Sequence, residues 1–234
     1  MKDFFRRYTM RGFLGGNSGG SGGSGGNTEE LETYKKLIAR DSWVTKLPEN
    51  ITSIGDYAFY NYNPTSLTSL PAGLTSIGNY AFYSCYNLAL TSLPAGLIEI
   101  GNNAFDSCAE LALTSLPAGL TSINNSAFRS CSKLALTSLP AGLTSMGNYA
   151  LYSCPRLALT SLPAGLTSIG KYAFQYCSGI TELTFEGTPS SIAASSFQNC
   201  NNLLTINVTW AEGEVANAPW GATNATINYN YTGG

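Results

Sequence analysis

The sequence predicts an α/β-type solenoid, with short parallel strands on its concave face and turns with short helical segments on its convex face. Three observations predict this fold. The segment LTSLPAGL recurs every 23 residues, six cysteines recur at the same spacing, and an aromatic residue or leucine fills one further position of each unit. A period of roughly 20–29 residues with repeated leucines is the signature of leucine-rich repeats. The five copies of the segment begin at Leu67, Leu90, Leu113, Leu136 and Leu159.

Each unit is expected to form one coil of the solenoid. In the unit from Cys85 to Cys108, residues 88–93 form the strand and residues 94–96 turn the chain, because Pro fixes φ and Gly leaves it free. One unit cannot bury its apolar face alone, so neighbouring coils stack into one continuous core. A row of bulky side chains, called the plug row below, should fill this core from the far side: Phe59, Phe82, Phe105, Phe128, Leu151, Phe174 and Phe197.

Two atypical segments flank the repeats of residues 43–204 and are expected to cap them. Residues 27–42 predict an N-terminal capping helix, because Asn27 and Glu30 stand at the two positions of a capping box. Residues 205–234 break the period, and their segments TINVTW and TINYNY predict a β-rich C-terminal cap. Terminal repeats are expected to be atypical, because they present a polar outer end.

The first 26 residues differ in character from the rest of the chain. Residues 15–26, GGNSGGSGGSGG, have the composition of a flexible linker, and their regularity indicates a man-made junction, with a natural low-complexity spacer as the alternative. Residues 1–14 hold four basic residues against one acidic residue, a net charge of +3, whereas the remainder carries −5. Aromatic and arginine side chains dominate binding hot spots. The sequence therefore predicts an engineered fusion that carries a peptide epitope, and an inert leader is the alternative. The epitope residues are Phe4, Phe5, Arg6, Arg7, Tyr8, Arg11 and Phe13.

Composition excludes several classes of function. The chain has no histidine, so neither a Ser-His-Asp nor a Cys-His mechanism can be assembled, and we expect no enzyme. Charged residues make up only 11% of the chain, without the clustered Lys and Arg that nucleic acids require. No apolar run approaches the roughly 20 residues of a membrane span, so we expect no membrane insertion. Residues 1–14 lack the apolar core of a secretory signal. The chain is then either cytosolic or without a native export signal, and we favour the second interpretation.

The cysteines predict a structural ladder. Equivalent positions on successive coils stack roughly 4.8 Å apart, and buried thiols act as small apolar groups that bond weakly to nearby backbone. Disulfides between neighbouring coils are the alternative. No CxxC pair accompanies these cysteines, so we expect no metal, and no motif predicts a cofactor. The ladder consists of Cys85, Cys108, Cys131, Cys154, Cys177 and Cys200.

The strand face leaves two registers open. In ITELTF, alternation places Leu183 and Phe185 inside and Glu182 and Thr184 outside. The LTSL units have their leucine one place earlier, so the same register would expose it on the concave face as a protein-binding stripe. A local bulge would instead turn the leucines into the core and leave the threonines outside. The predicted stripe comprises Leu67, Leu90, Leu113, Leu136 and Leu159, flanked by Ser92, Ser115 and Ser138.

A second candidate surface is aromatic. Tyrosine offers a large contact area with a polar tip and is enriched at interfaces. Partial packing between neighbouring coils is the alternative interpretation. The candidate residues are Tyr80, Tyr83, Tyr149, Tyr152 and Tyr172.

The repeat pattern L-P-x-x-L-x-x-I-G-x-x-A-F-x-x-C resembles the BspA-like leucine-rich repeats of bacterial surface proteins over roughly residues 43–232. The tail AEGEVANAPWGATNATINYN also resembles the ending of such domains. The resemblance implies a secreted or surface-displayed protein that binds a protein or peptide without catalysis, as in adhesion. Residues 1–26 do not match the family. We therefore expect a binding domain with a tethered peptide that docks within its own molecule or on another. An inert carrier that displays the peptide is the alternative.

Overall fold

The structure is a computed structural model that describes residues 46–47 and 49–233. The predicted peptide of residues 1–14, the linker of residues 15–26 and the capping helix of residues 27–42 lie outside the described residues. Within the described part, the chain winds into about eight coils joined by parallel strands. The predicted solenoid is therefore confirmed there.

A first row of two-residue strands is formed by the last two residues of the Thr-Ser-Ile segment, or of its equivalent, in each unit. Its members pair in parallel one repeat apart, so that Ser53 lies opposite Ser76 and Ile54 lies opposite Ile77. In every strand the second residue is buried and the first is not, because the two side chains point to opposite faces. The row consists of β1 (Ser53–Ile54), β2 (Ser76–Ile77), β3 (Glu99–Ile100), β4 (Ser122–Ile123), β5 (Ser145–Met146), β7 (Ser168–Ile169) and β9 (Ser191–Ile192).

The first row divides into two sheets, β1-β2-β3 and β4-β5-β7-β9. The division coincides with Asn124, which replaces the glycine found at position 101. Gly101 donates its backbone N–H to the carbonyl of Ile77 at 2.8 Å, and a Cβ on it would lie 2.6 Å from the backbone nitrogen of Asn79. Asn124 instead donates from its side-chain Nδ2 to the carbonyl of Ile100 at 2.7 Å. A side chain at this close approach thus accompanies a break in the strand pairing.

A second row of strands lies in the C-terminal coils, in the order β11-β10-β8-β6, with all pairs parallel. In β8, Leu183 and Phe185 are buried and Glu182 is exposed, as alternation predicts. The segments TINVTW and TINYNY contain β10 and β11, so both form strands as predicted. The row consists of β6 (Ser161–Leu162), β8 (Glu182–Phe185), β10 (Thr205–Val208) and β11 (Thr226–Asn228).

The side of each coil that carries the plug row is built from turns. Tyr80 and Ser84 have φ of 55° and 57°, and a helix cannot pass through such residues. The N–H groups of Tyr80 and Phe82 donate to the carbonyls of Asn102 and Ala104 in the next coil, at 2.9 and 2.7 Å. A helix would need these donors for carbonyls four residues back. No helix forms among residues 49–233, so the short helical segments expected on this face are not confirmed there.

The plug row forms the centre of the core. The rings of Phe82 and Phe105 stack at 5.3 Å, and those of Phe105 and Phe128 stack at 5.5 Å, with planes within 5° of parallel. Phe174 and Phe197 repeat this arrangement at 4.9 Å beyond the buried Leu151. The predicted core row is confirmed, because its seven members are all buried.

The cysteine ladder is confirmed in the same way. All six thiols are free and buried. Each Sγ donates to the carbonyl of the plug residue in the preceding coil, as Cys85 does to Phe59 and Cys108 to Phe82, both at 3.1 Å. The thiols therefore hold neighbouring coils together by hydrogen bonds, without disulfides.

A ladder of side-chain oxygens, one carboxylate and four amides, lies beside the first strand row. Each member accepts a hydrogen bond from the backbone N–H one repeat later: the N–H of Asn102 donates to Oδ1 of Asn79 at 2.8 Å, and that of Lys171 to Oδ1 of Asn148 at 2.8 Å. These bonds satisfy backbone donors at the corner between the strand and the turns. The acceptors are Asp56, Asn79, Asn102, Asn125 and Asn148.

Candidate binding surface

The predicted leucine stripe lies in the core. In the unit of residues 88–93, Leu88 and Leu90 are buried, Thr91 and Ser92 are both exposed, and Leu93 is partly buried. Two successive exposed residues break the alternation, and residues 88–93 form no strand, so the strand predicted there is wrong. Full burial stabilises a leucine side chain by roughly 1.5–3 kcal/mol, so the chain takes the register that fills its interior. The exposed stripe is therefore wrong: the exposed fraction is at most 1% for Leu67, Leu90, Leu113, Leu136 and Leu159.

The hydroxyl groups of the same segment form the outer surface there. We call this surface the hydroxyl face and define it by the exposed pairs Thr91–Ser92, Thr114–Ser115 and Thr137–Ser138. The chemistry is the same in these three coils. A binding role for Ser92, Ser115 and Ser138 stays a prediction.

Two stacks of tyrosines stand on the turn side. In the first stack, Tyr57 lies on Tyr80 at 5.0 Å and Tyr60 lies on Tyr83 at 4.9 Å, with ring planes within 9° of parallel. The exposed fraction of Tyr57 is 38%. The rings thus pack between neighbouring coils, which was the alternative interpretation. They also keep the exposed surface that a binding role requires.

The second stack begins three coils later. Tyr149 lies on Tyr172 at 5.1 Å, and the Tyr152 ring meets the edge of Tyr176 at 5.5 Å. The exposed fractions of Tyr149 and Tyr176 are 37% and 46%. Together the two stacks form the tyrosine face, which comprises Tyr57, Tyr60, Tyr80, Tyr83, Tyr149, Tyr152, Tyr172 and Tyr176.

A polar gap separates the stacks. The Asp106 carboxylate, with only 1% of its side chain exposed, accepts hydrogen bonds from Asn103 at 3.1 Å and Ser107 at 2.9 Å. The Arg129 guanidinium pairs with this carboxylate at 3.4 Å and lies 5.4 Å from the Tyr152 ring centroid. A surface cavity of about 310 Å³ is lined by Ser126, Arg129 and Tyr149. The sequence interpretation missed this cluster, although the loss of tyrosine from two consecutive units was a visible signal.

The repeat units differ most strongly on this turn side. The four units that begin at residues 67, 90, 113 and 136 share LTSLPAGL without a change. Two turn positions instead change between aromatic, polar and charged side chains. The first position holds Tyr80, Asn103, Ser126 and Tyr149, and the second holds Tyr83, Asp106, Arg129 and Tyr152.

The buried thiols do not supply a nucleophile. Burial raises the pKa of Cys85 to about 12 and that of Cys200 to about 11. Burial raises the pKa of Cys131 well above the ordinary value as well. The thiolate is the reactive form of cysteine, so these groups stay inert at neutral pH. Among residues 46–47 and 49–233, no three His, Cys, Asp or Glu side chains cluster as a metal site would require. Over the same residues no helix has the length and apolar character to span a membrane.

These features define a class of protein, a leucine-rich-repeat solenoid whose varied chemistry lies on its outer surface. The model of the BspA type leucine rich repeat region matches in six copies, over residues 43–157 and 98–215. The chain therefore belongs to the BspA-type leucine-rich-repeat family, which is non-catalytic, and it is not an enzyme. No curated protein matches the chain.

Solved structures of bacterial proteins are similar to this chain. A T. pallidum leucine-rich-repeat protein is 30% identical, with 62% of this chain and 69% of that chain covered and a TM-score of 0.49. A leucine-rich cell surface protein from Faecalibacterium prausnitzii is 24% identical, with 80% and 59% covered and a TM-score of 0.47. The pneumococcal vaccine antigen PcpA is 20% identical, with 76% and 44% covered and a TM-score of 0.55, and it shares the fold. The chain thus spans less than two thirds of the last two proteins, and relatives of this kind include cell-surface bacterial proteins.

Proposed function

We propose that the repeats form a non-catalytic recognition domain of the adhesion type, which binds a protein or peptide partner through the tyrosine face. The observation that carries this proposal is the variation between units. LTSLPAGL repeats without change, whereas the turn positions alternate between aromatic, polar and charged side chains. A specific partner is distinguished by a pattern of different side chains, which the hydroxyl face does not offer.

The chemistry of the tyrosine face supports the same proposal. Tyrosine and arginine are enriched among the residues that dominate binding energy. The tyrosine rings are held rigid by stacking, so partner binding would cost little side-chain entropy. Arg129 is fixed between Asp106 and Tyr152 while 42% of its side chain remains exposed. Preorganised aromatic and guanidinium groups at one surface are what a binding hot spot requires.

The double substitution of Tyr80 and Tyr83 by alanine is expected to weaken partner binding by about tenfold or more, because truncation of a hot-spot residue commonly costs more than about 1 kcal/mol. Surface plasmon resonance of the purified chain against a panel of extracellular-matrix and serum proteins measures the effect. The matched control is the double change Ser92→Ala and Ser115→Ala, which should stay within about twofold of the parent. If the serine variant alone lost binding, the binding site would lie on the hydroxyl face instead.

A second function is favoured by the composition of the first 26 residues: the solenoid would carry residues 1–14 as a displayed peptide in an engineered fusion. Calorimetric titration of synthetic peptide 1–14 into a chain of residues 27–234 separates the two roles. Saturable binding that the Tyr80→Ala and Tyr83→Ala changes weaken makes the peptide a tethered ligand, which the linker would hold at about millimolar effective concentration. Absence of heat at high peptide concentration makes the solenoid a carrier, with the peptide free for another protein.

A further inference from the structure

We propose that the gap between the two tyrosine stacks is a binding slot for a neutral pyranose ring, so that the protein also binds saccharides. The slot lies over Asn103 and Ser126, between Tyr80 and Tyr149. This inference goes beyond protein recognition and does not depend on it.

The first argument is geometric. Tyr80 and Tyr149 stand three coils apart, which corresponds to about 14 Å, or three strand spacings. Rings inside the stacks follow one another at 5.0 and 5.1 Å. Two rings are therefore missing from the column between Tyr80 and Tyr149. The smaller side chains of Asn103 and Ser126 stand at these two positions and leave space there. The cavity lined by Ser126, Arg129 and Tyr149 lies at this place.

The backbone has the same conformation in the gap as in the two tyrosine stacks. Asn103 and Ser126 have φ of 54° and 53°, close to the 55° and 56° of Tyr80 and Tyr149. Tyrosine could therefore occupy either position without a new backbone conformation. The slot exists because of side-chain identity alone, so a single substitution can close it without rebuilding the coil.

The chemistry of the slot suits a sugar. A pyranose ring presents apolar C–H groups on a face and hydroxyl groups around its rim. The exposed ring of Tyr149 supplies a flat apolar wall. Ser126 offers a hydroxyl group, and Arg129 retains guanidinium donors beyond the one that Asp106 accepts. A phenyl ring in the same place would remove water from these polar groups without replacing its hydrogen bonds.

The charge of the slot selects a neutral ligand. The Asp106 carboxylate already has three protein donors, from Asn103, Ser107 and Arg129. Arg129 and Asp106 neutralise one another, so the slot offers no unpaired charge to an ionic ligand. Polar sites of this kind recognise hydroxyl groups by direct hydrogen bonds.

The test uses the full chain, with lactose and cellobiose as probes and sorbitol as an open-chain polyol control. Ligand-detected NMR should show saturable binding of at least one disaccharide and none of sorbitol. Tyr149→Ala should weaken this binding by about tenfold, because the variant lacks one wall of the slot. Ser126→Tyr should abolish it with the thermal unfolding midpoint unchanged or raised, because the new ring fills the slot.

The matched control is Ser115→Tyr, which adds the same ring to the hydroxyl face and should bind sugar like the parent. The proposal is overturned if neither disaccharide binds, or if Ser126→Tyr binds as well as Ser115→Tyr does. Displacement of a bound sugar by N-acetyl-tyrosinamide at equal or lower concentration would also overturn it, and would assign the slot to an aromatic side chain of a protein partner. The sugar titrations use no protein partner, so their outcome does not depend on the surface plasmon resonance result.

Discussion

Replacement of Phe105 by alanine is expected to destabilise the solenoid by about 3–5 kcal/mol, because it opens a cavity in the middle of the plug row. The ring is fully buried between those of Phe82 and Phe128. The surrounding backbone cannot collapse into the space easily. The N–H of Phe105 donates to the Ala127 carbonyl at 2.8 Å, and its carbonyl accepts from Cys131 at 3.1 Å.

Urea denaturation followed by circular dichroism measures this loss. Phe105→Leu is the matched control, because Leu151 already occupies the same row and is fully buried. The leucine variant should lose clearly less stability than the alanine variant, since leucine refills most of the space. Equal losses for the two variants would show that ring packing, rather than volume, holds the row together.

Raising the pH above about 9 is expected to unfold the protein steeply, because burial lifts the pKa of the six thiols in the folded state. An unfolded cysteine has a pKa near 9.0, whereas the pKa of Cys85 is raised to about 12 and that of Cys200 to about 11. The folded chain therefore holds these protons after the unfolded chain has released them. The stabilisation is complete below pH 9 and is lost as the pH rises toward the folded-state values. Each thiol contributes a slope of about 1.4 kcal/mol per pH unit in that window.

The free energy of unfolding, measured by urea titration at several values between pH 8 and pH 11, checks the slope. Cys131→Ala should reduce the slope by about 1.4 kcal/mol per pH unit, because it removes one buried thiol. The two proteins differ at this one residue, so every other contribution cancels in the difference. Identical slopes would contradict the argument and would mean that Cys131 is accessible to solvent.

The period made most of the core predictable from the sequence. Residues that recur every 23 positions must stack, so the plug row and the cysteine ladder followed from spacing alone. The strands in TINVTW and TINYNY followed from their β-favouring residues. These features depend on repetition, and repetition is visible in a sequence.

The register of LTSL was not predictable, because a shift of one residue exchanges the two faces. The exposure of both Thr91 and Ser92 shows that the leucine is buried. Threonine and serine are compatible with either register, so the residue types could not decide between them. The absence of helical turns among residues 49–233 was not predictable either, because it depends on contacts with the next coil. The positive φ of residues such as Tyr80 and Ser84 depends on N–H groups that bond to the next coil. The polar gap was visible as two missing tyrosines, but the contact of Asp106 with Arg129 was not.

The hydrogen bonds between coils also give the molecule a direction. On the strand side the later coil donates, as the N–H of Ala112 does to the Leu90 carbonyl at 2.9 Å. On the turn side the earlier coil donates, as the N–H of Phe82 does to the Ala104 carbonyl at 2.7 Å. If the first and last coils were both uncovered, the free donors of one end would match the free acceptors of the other. Such head-to-tail contacts grow into open filaments rather than closed dimers. At the back end the N–H of Phe197 is occupied by the Trp220 carbonyl at 2.9 Å. The C-terminal segment thus covers a donor at this end, and we expect its removal to leave that donor open to a second molecule.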